Sequence, residues 1–510
     1  MRHGYVYDSD FCFQFDLWHC VEGLVLVLLS LFLVKICYVG QAQRNLKFAQ
    51  TWQSSIFSFF FGSKNFQMLF TRRSFSTAAA AARPSPMFSK SLLFAGTFLA
   101  GSGGSYLFSD QIRRSSTYLA VSDHVLVPLM RKFMDAEDAH NWTITAAKWN
   151  LTPMEIPRVL EAHEITNNIY KKRNLMKKQR AAGGGNSVDL PSSTSKRLRT
   201  TVWGRDFPNP VGMAAGFDKH AEVMGPLLDM GFGFVEVGGV TPSPQNGNPR
   251  PRSFRLDEDR AIINRYGLNS HGAKVVGERL AAFRSQGPHR TSGAVGVNLA
   301  KNTETIKTAK EDYISGLQTL GPHVDFIVMN ISCPNVAWTS KLKDSEISDL
   351  VVAVREARDK YCAGTPVLLK IGPDYDEAKI TSIVTVAKDT KVDGLIVSNT
   401  STSRPDTLIS PHRIEKGGLS GAPIKERALA TLQKVYALTN GSLPIIGVGG
   451  IASGADAYAR IRAGASLVEV YTAMTFGGPS LIQEIKHDLD ACLIRDGFSS
   501  LAEAVGADYR

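Results

Sequence analysis

The second half of this 510-residue chain predicts an α/β fold, a closed (β/α)8 barrel, on three observations. Eight short apolar runs, each followed by a helix-like stretch, recur from Pro210 onward. Unbroken apolar strands alternating with helices imply a parallel sheet buried on both faces, and eight of them are enough to close a barrel. No Gly-x-Gly-x-x-Gly fingerprint follows the first run, which tells against an open doubly wound sheet, and glycine-rich segments accompany the last two runs instead.

The runs are Pro210 to Ala215, Phe234 to Val240, Ala294 to Leu299, Phe326 to Ile331, Val367 to Ile371, Gly394 to Ser398, Ile445 to Val448 and Leu467 to Tyr471. The fourth ends in Asn330-Ile331-Ser332-Cys333-Pro334-Asn335, which sets a thiol and two carboxamides at a strand end. Each Asn offers a donor and an acceptor to an amide or imide edge, and a Cys-Pro turn fixes the sulfur. The plainer reading makes Cys333 a small buried hydrophobe and the Asn residues turn formers. In the fifth run, Val-Leu-Leu before Lys370 buries the root of that lysine. Gly447-Val448-Gly449-Gly450-Ile451 and Tyr471-Thr472-Ala473 close the last two runs. Glycines let backbone N–H groups approach a phosphate and Thr472 adds a hydroxyl, so together they predict a phosphorylated cofactor.

Upstream of the barrel the chain changes character. No acidic residue lies between Glu22 and Asp110, while Arg72, Arg73, Arg83 and Lys90 sit among Ser, Ala and Phe. Residues 1–90 therefore read as a mitochondrial targeting region, with a processing site at Arg72-Arg73-Ser74-Phe75-Ser76-Thr77. Ser91 to Phe108 is apolar and Gly-rich, of about the minimum length for a membrane anchor. A further apolar run, Gly23 to Val34, is short for a span. Met68 begins a more ordinary transit peptide, so the residues before it read as an alternative start, with a secretory-type signal as the competing reading.

After the anchor, Leu119 to Phe133 puts Val125, Leu126, Leu129, Met130 and Phe133 on one helical face, and the next segment does the same with His140, Ile144 and Ala147. Two amphipathic helices beside an anchor are placed to dip apolar sides into lipid. Residues 171–200, with Ala181-Ala182-Gly183-Gly184-Gly185 between basic clusters, read as a flexible basic insertion that either is simply solvated or meets anionic lipid.

Charge and cysteine usage narrow the function classes. Residues 1–200 hold 24 Lys and Arg against 13 Asp and Glu and the remainder 34 against 34, so the whole net +11 lies outside the barrel. A nucleic-acid enzyme carries its positive field around the active site, so no nucleic-acid partner is expected. The six cysteines show no Cys-x-x-Cys pair and there is no His-Glu-x-x-His, so no metal is expected.

Ala214-Ala215-Gly216-Phe217-Asp218-Lys219-His220, Gly247-Asn248-Pro249-Arg250-Pro251-Arg252, Asn264-Arg265-Tyr266-Gly267, Gly296-Val297-Asn298-Leu299, Lys370-Ile371-Gly372-Pro373-Asp374 and Ser398-Asn399-Thr400 stand in the order seen in dihydroorotate dehydrogenases. From about Leu119 to Phe476 the chain resembles the quinone-dependent, membrane-associated class of that family. The resemblance implies a TIM barrel over residues 201–510, preceded by a small helical hood over 119–170. It implies FMN as cofactor, dihydroorotate and orotate as substrate and product, ubiquinone as final acceptor, and a mitochondrial inner membrane location with contact to its lipids. By resemblance Cys333 is the base, and Lys219, Asn264, Arg265, Tyr266, Gly267, Leu268, Asn330, Asn335, Asn399 and Thr400 bind substrate. Ala214, Ala215, Gly216, Gly239, Asn298, Asn330, Lys370, Ser398, Gly421, Gly449, Gly450, Tyr471 and Thr472 bind FMN, and His140, Arg255 and Tyr471 line a quinone tunnel.

The sequence also departs from that class near the chemistry. It has Cys333 for the usual Ser, Val336 for Thr and Leu268 for Phe, all three resembling the soluble class that uses fumarate or a nicotinamide cofactor. Gly239 replaces a flavin-contacting hydroxyl, and Ala337-Trp338-Thr339-Ser340 departs from the expected mobile loop. A thiol with a pKa of about 8.5 is a better base than an alcohol where the site stabilises thiolate, but Val336 cannot relay a proton. The alternatives are a soluble acceptor, a flavin barrel that reduces uridine in transfer RNA, and a flavin-binding relic without turnover.

Overall fold

The structure, a computed structural model, describes residues 110–156, 196–287, 293–303, 308–332 and 343–510. The predicted targeting region, the anchor and most of the insertion lie outside the described residues, as do Cys333, Asn335 and Val336. Two compact units divide the chain at Ile112, and the second, Arg113–Arg510, carries the barrel and its coverings. Among the described residues no helix is long and apolar enough to cross a membrane.

A hairpin opens the ordered barrel region: β1 (Thr200–Val202) and β2 (Arg205–Phe207), joined by Trp203 and Gly204, both at positive φ. The last residues of the stretch read as flexible are thus ordered, since Lys196–Leu198 forms a 3-10 turn and Thr200 begins β1. Burial of Leu198 and pairing of Arg197 with Asp490 at 3.1 Å hold that end down.

Eight parallel strands then close a barrel: β3 (Val211–Met213), β4 (Phe234–Val240), β7 (Ala294–Leu299), β8 (Phe326–Asn330), β9 (Val367–Ile371), β10 (Gly394–Val397), β12 (Ile445–Val448) and β13 (Leu467–Val470), with β13 pairing back on β3. Their outward side chains meet the surrounding helices in the main core. Inward side chains at the strand starts, among them Phe234, Phe326, Leu368, Ile396, Ile446 and Leu467, join Val202 and Phe207 of the hairpin in a separate apolar cluster. The hairpin therefore stops the N-terminal mouth, and Gly212 and Gly296 leave room for the rings of Phe234 and Phe326, which an added Cβ would meet at 2.3 and 2.1 Å. With side chains alternating along each strand, chemistry is left to the C-terminal mouth.

Two additions cover that mouth. The loops after β4 and β10 build an antiparallel sheet from β5 (Ser253–Leu256), β6 (Ala261–Asn264) and β11 (Gly418–Gly421). Ahead of the barrel, Ser116–Val121 and Val127–Phe133 are α-helical on either side of a π turn at Ser122–Leu126, and Ala136–Lys148 follows. Asp135 starts the last helix by accepting from the Glu137 and Asp138 N–H groups, each at 2.9 Å. Beside the wider π turn Val125 of the predicted apolar face is 37% exposed, while Met130 of that face, with Val127, lines the cavity below.

Candidate functional site

A cavity of about 300 Å³ occupies the C-terminal mouth and runs out beneath the two N-terminal helices. Its floor is set by a charged layer inside the barrel. Lys370, on β9 and 5% exposed, donates from Nζ to Glu236 Oε2 at 2.9 Å and stands 3.7 Å from Glu469. Burial works against its charge, but the two carboxyls outweigh that and raise its pKa, so it is an ammonium ion.

Next to this layer lies a row of carboxamides. Asn298 Nδ2 donates to Glu236 Oε1 at 2.6 Å, and its Oδ1 accepts from Asn330 Nδ2 at 3.2 Å. Asn330 Oδ1 accepts from Asn399 Nδ2 at 3.3 Å, and Asn399 also reaches the Ser332 hydroxyl at 3.2 Å. Ser332 Oγ is tied to the Lys370 carbonyl at 2.8 Å, which fixes the backbone just before Cys333. Asn330, Ser398, Asn399 and Thr400 line the cavity beside Lys370, with Asn264 facing them from β6. Such a row offers both donors and acceptors, as a ring bearing both N–H and C=O requires.

Lys219 closes one end. Its ammonium donates to the Gly216 carbonyl and lies 4.2 Å from the centroid of the Tyr266 ring. Burial, with Arg252 nearby, lowers its pKa to about 8 against the pull of Glu137 and Asp218. Gly267 and Leu268 continue the same wall.

At the other end Gly421, Gly449 and Gly450 line the cavity at positive φ of 99°, 110° and 71°. A Cβ on Gly450 would meet the Lys425 Cα at 2.6 Å, and one on Gly421 the Arg260 carbonyl at 2.4 Å, so bare backbone is required there. Thr472, bonded to the Ser420 hydroxyl at 2.8 Å, stands beside them. Ala214, Ala215, Gly216 and Gly239 form the remaining small-residue wall. A bare-backbone cradle, a buried ammonium and a carboxamide row fit a phosphorylated cofactor that takes up electrons.

The passage under the helices is more apolar. His140 packs edge-on against Phe217, with ring centroids 5.2 Å apart, and 6.4 Å from Tyr471, whose hydroxyl donates to the Gly216 carbonyl at 3.2 Å. Burial first, then the charges of Lys219 and His220, hold the His140 pKa well below its ordinary value, so the imidazole is neutral. Arg255 Nη1 donates to the Arg131 carbonyl at 2.6 Å, while its buried Nε has no hydrogen-bond partner among the described residues.

Two expected site residues stand elsewhere. The Arg265 guanidinium does not line the cavity; it pairs with Glu415 at 2.6 Å and lies over the Phe254 ring at 4.4 Å, holding the loop before β11. Asn298 is fully buried behind Asn330 and reaches the cavity only through it. Glu236 and Glu469 are not among the residues expected from the sequence; an acidic residue inside an all-apolar run, as in Phe-Val-Glu-Val and Leu-Val-Glu-Val, is the signal that marks them.

Comparison with known proteins agrees with this geometry. Residues 197–493 match the family model described as dihydroorotate dehydrogenase. The chain is 49% identical over 316 residues to a Rhodospirillum rubrum protein named dihydroorotate dehydrogenase (quinone), covering 61% of this chain and 84% of that one. It is 47% identical over 329 residues to the Mus musculus protein named dihydroorotate dehydrogenase (quinone), mitochondrial, covering 63% and 83%. The crystal structure of Eimeria tenella DHODH in complex with ferulenol matches with a TM-score of 0.66 at 35% identity, over 76% of this chain and 99% of that one.

Proposed function

The chain belongs to the dihydroorotate dehydrogenase family, and we propose that it oxidises dihydroorotate to orotate, with FMN as bound carrier and ubiquinone as final acceptor, in pyrimidine synthesis. The observation that carries this reading is a single cavity that joins the carboxamide row and Lys219 to Lys370, the glycine cradle and the apolar passage past His140.

Substrate is held by complementary chemistry. The Lys219 ammonium pairs with the substrate carboxylate, and Asn264, Asn330, Asn335, Asn399 and Thr400 meet the ring N–H and C=O groups. Cys333, following the tied-down Ser332, takes the proton from ring carbon 5 as thiolate. Gly421, Gly449, Gly450 and Thr472 would hold the FMN phosphate, and Asn330, Lys370 and Ser398 would hold its ring, with Asn298 fixing Asn330 from behind. FMN, when bound, would supply the acceptor for the hydride from ring carbon 6 and the redox link to quinone. Lys370 offsets the negative charge that accumulates beside it, in a site dry enough to make that effect large. The neutral His140 and Arg255 Nε, unpartnered among the described residues, suit a quinone carbonyl entering beneath the helices.

Residues 1–90 as targeting region and 91–108 as anchor would place the enzyme on the mitochondrial inner membrane, and the mitochondrial mouse relative supports the compartment. Cys333, Val336 and Leu268 favour a soluble acceptor, but the relatives named for quinone outweigh them.

The test is orotate formation by the purified flavoprotein with a ubiquinone analogue. Wild type should turn over, and Cys333→Ala should keep its flavin while losing 10²–10⁴-fold in rate, roughly the range for removing a general base. A flavin-loaded wild type that makes no orotate overturns the assignment.

A further inference from the structure

Glu469 takes no part in binding substrate or in moving its proton, yet it sits in the charged floor of the site. It is 1% exposed, lines the cavity and lies 3.7 Å from Lys370 Nζ. On the other side of the same ammonium, Glu236 is 0% exposed. One buried cation therefore faces two buried carboxyls, and ionising both would leave an uncompensated charge in a low-dielectric interior.

Hydrogen bonding distinguishes the two. Glu236 accepts from Lys370 Nζ at 2.9 Å, Asn298 Nδ2 at 2.6 Å and the Ala215 N–H at 3.3 Å. Neither oxygen of Glu469 accepts a hydrogen bond of normal length among the described residues, Lys370 Nζ standing at 3.7 Å. A carboxylate with three close donors stays ionised, and one whose nearest donor, Lys370 Nζ, stands 3.7 Å away while it faces a second carboxyl takes up the proton. Burial opposes ionisation of Glu236, but Lys370 and Asn298 prevail and hold its pKa below the ordinary value. Burial and then the charge of Glu236 push Glu469 well above its ordinary value, and Lys370 offsets this only in part.

We propose that Glu469 is a positioning residue that works as a neutral acid, keeping the Glu236–Lys370–Glu469 cluster uncharged overall so that electrons are accepted beside Lys370. The proposal rests on the assignment of a flavin to this cavity. With Glu469 protonated, the cluster sums to zero. If Glu469 releases its proton to solvent, the cluster carries one negative charge and reduction beside it becomes less favourable. The groups facing Glu469 that govern this are Lys370 on β9 and Glu236 on β4.

Two measurements test it. In the flavin-free protein at pH 7, infrared spectroscopy should show the carbonyl stretch of a protonated carboxylic acid that disappears in Glu469→Gln. In the flavoprotein, the reduction potentials of wild type and Glu469→Gln should agree at pH 7 to within a tenfold change in equilibrium constant, about 30 mV for a two-electron couple. At whatever higher pH the wild-type carboxylic-acid band disappears, the variant's potential should exceed that of wild type by more than that tenfold. A wild-type protein without a protonated-carboxyl band at pH 7 overturns the proposal even where the variant does not fold. A variant already tenfold more oxidising at pH 7, or potentials that still coincide at a pH where the wild-type band has gone, does so as well. The infrared result needs no flavin, so it separates failure of this inference from failure of the dehydrogenase assignment.

Discussion

Lys219 should make ligand affinity fall sharply above pH 8. Its ammonium is enclosed by the Gly216 carbonyl, the Tyr266 ring and the cavity wall, and burial lowers its pKa to about 8, with Arg252 adding to that effect and Glu137 and Asp218 opposing it. For a lysine the charged form is lost as pH rises through this value, so the cation that pairs with a carboxylate ligand declines about tenfold per pH unit above it. Orotate binding to the oxidised flavoprotein, followed by the flavin absorbance change, isolates this step because no proton is abstracted. The dissociation constant should be nearly flat up to about pH 7, rise roughly fivefold between pH 8 and 9, and approach a tenfold rise per unit above that. Glu137 pairs with Arg252 at 2.9 Å and with Arg250 at 3.1 Å. Glu137→Gln removes a negative neighbour and leaves Arg252 uncompensated, and both changes move the break to lower pH. Affinity that is level through pH 9, or a break that Glu137→Gln leaves in place, would refute the placement of Lys219 on the ligand carboxylate.

Lys370→Met strips Glu236 of its buried cation and should lower the unfolding free energy of the flavin-free protein by roughly 3–5 kcal/mol, read from denaturant midpoints; a loss under about 1 kcal/mol contradicts the buried pair. His140→Ala should slow reoxidation of the reduced flavin by a ubiquinone analogue in rapid mixing while bleaching by dihydroorotate keeps its rate, and equal slowing of both steps would remove His140 from the quinone passage. Gly421→Ala forces a Cβ to within 2.4 Å of the Arg260 carbonyl at a φ of 99°, so it should cost more than about 1 kcal/mol and lower flavin retention on gel filtration, whereas full retention would argue against the glycine cradle.

Much of the barrel was legible because a buried parallel strand has to be a continuous apolar run. Phe234–Val240, Ala294–Leu299, Val367–Ile371 and Ile445–Val448 begin and end where the sequence pattern places them, and the other four runs differ only at their ends. Strand-end residues such as Asn330, Lys370 and Asn399 were legible for the same reason, since each follows an apolar run directly or, for Asn399, after Ser398. What depends on three-dimensional closure was not. The β1–β2 hairpin shows its role only when Val202 and Phe207 are seen against Phe234 and Phe326, far along the chain. Arg265 reads as a site residue beside Asn264, but side chains alternate along a strand and its guanidinium reaches Glu415 instead. Glu236 and Glu469 are 233 positions apart in the chain and become one feature only when β4 and β13 share the barrel interior with Lys370.

A flavin reduced by dihydroorotate and reoxidised by quinone is the centre of the proposed function. Anaerobic addition of dihydroorotate should bleach the bound flavin, and of a ubiquinone analogue, fumarate and NAD+ added to separate portions, the quinone should restore the colour fastest. Restoration only by fumarate or NAD+ would contradict the quinone assignment, and a flavin-loaded protein that does not bleach would contradict the dehydrogenase itself.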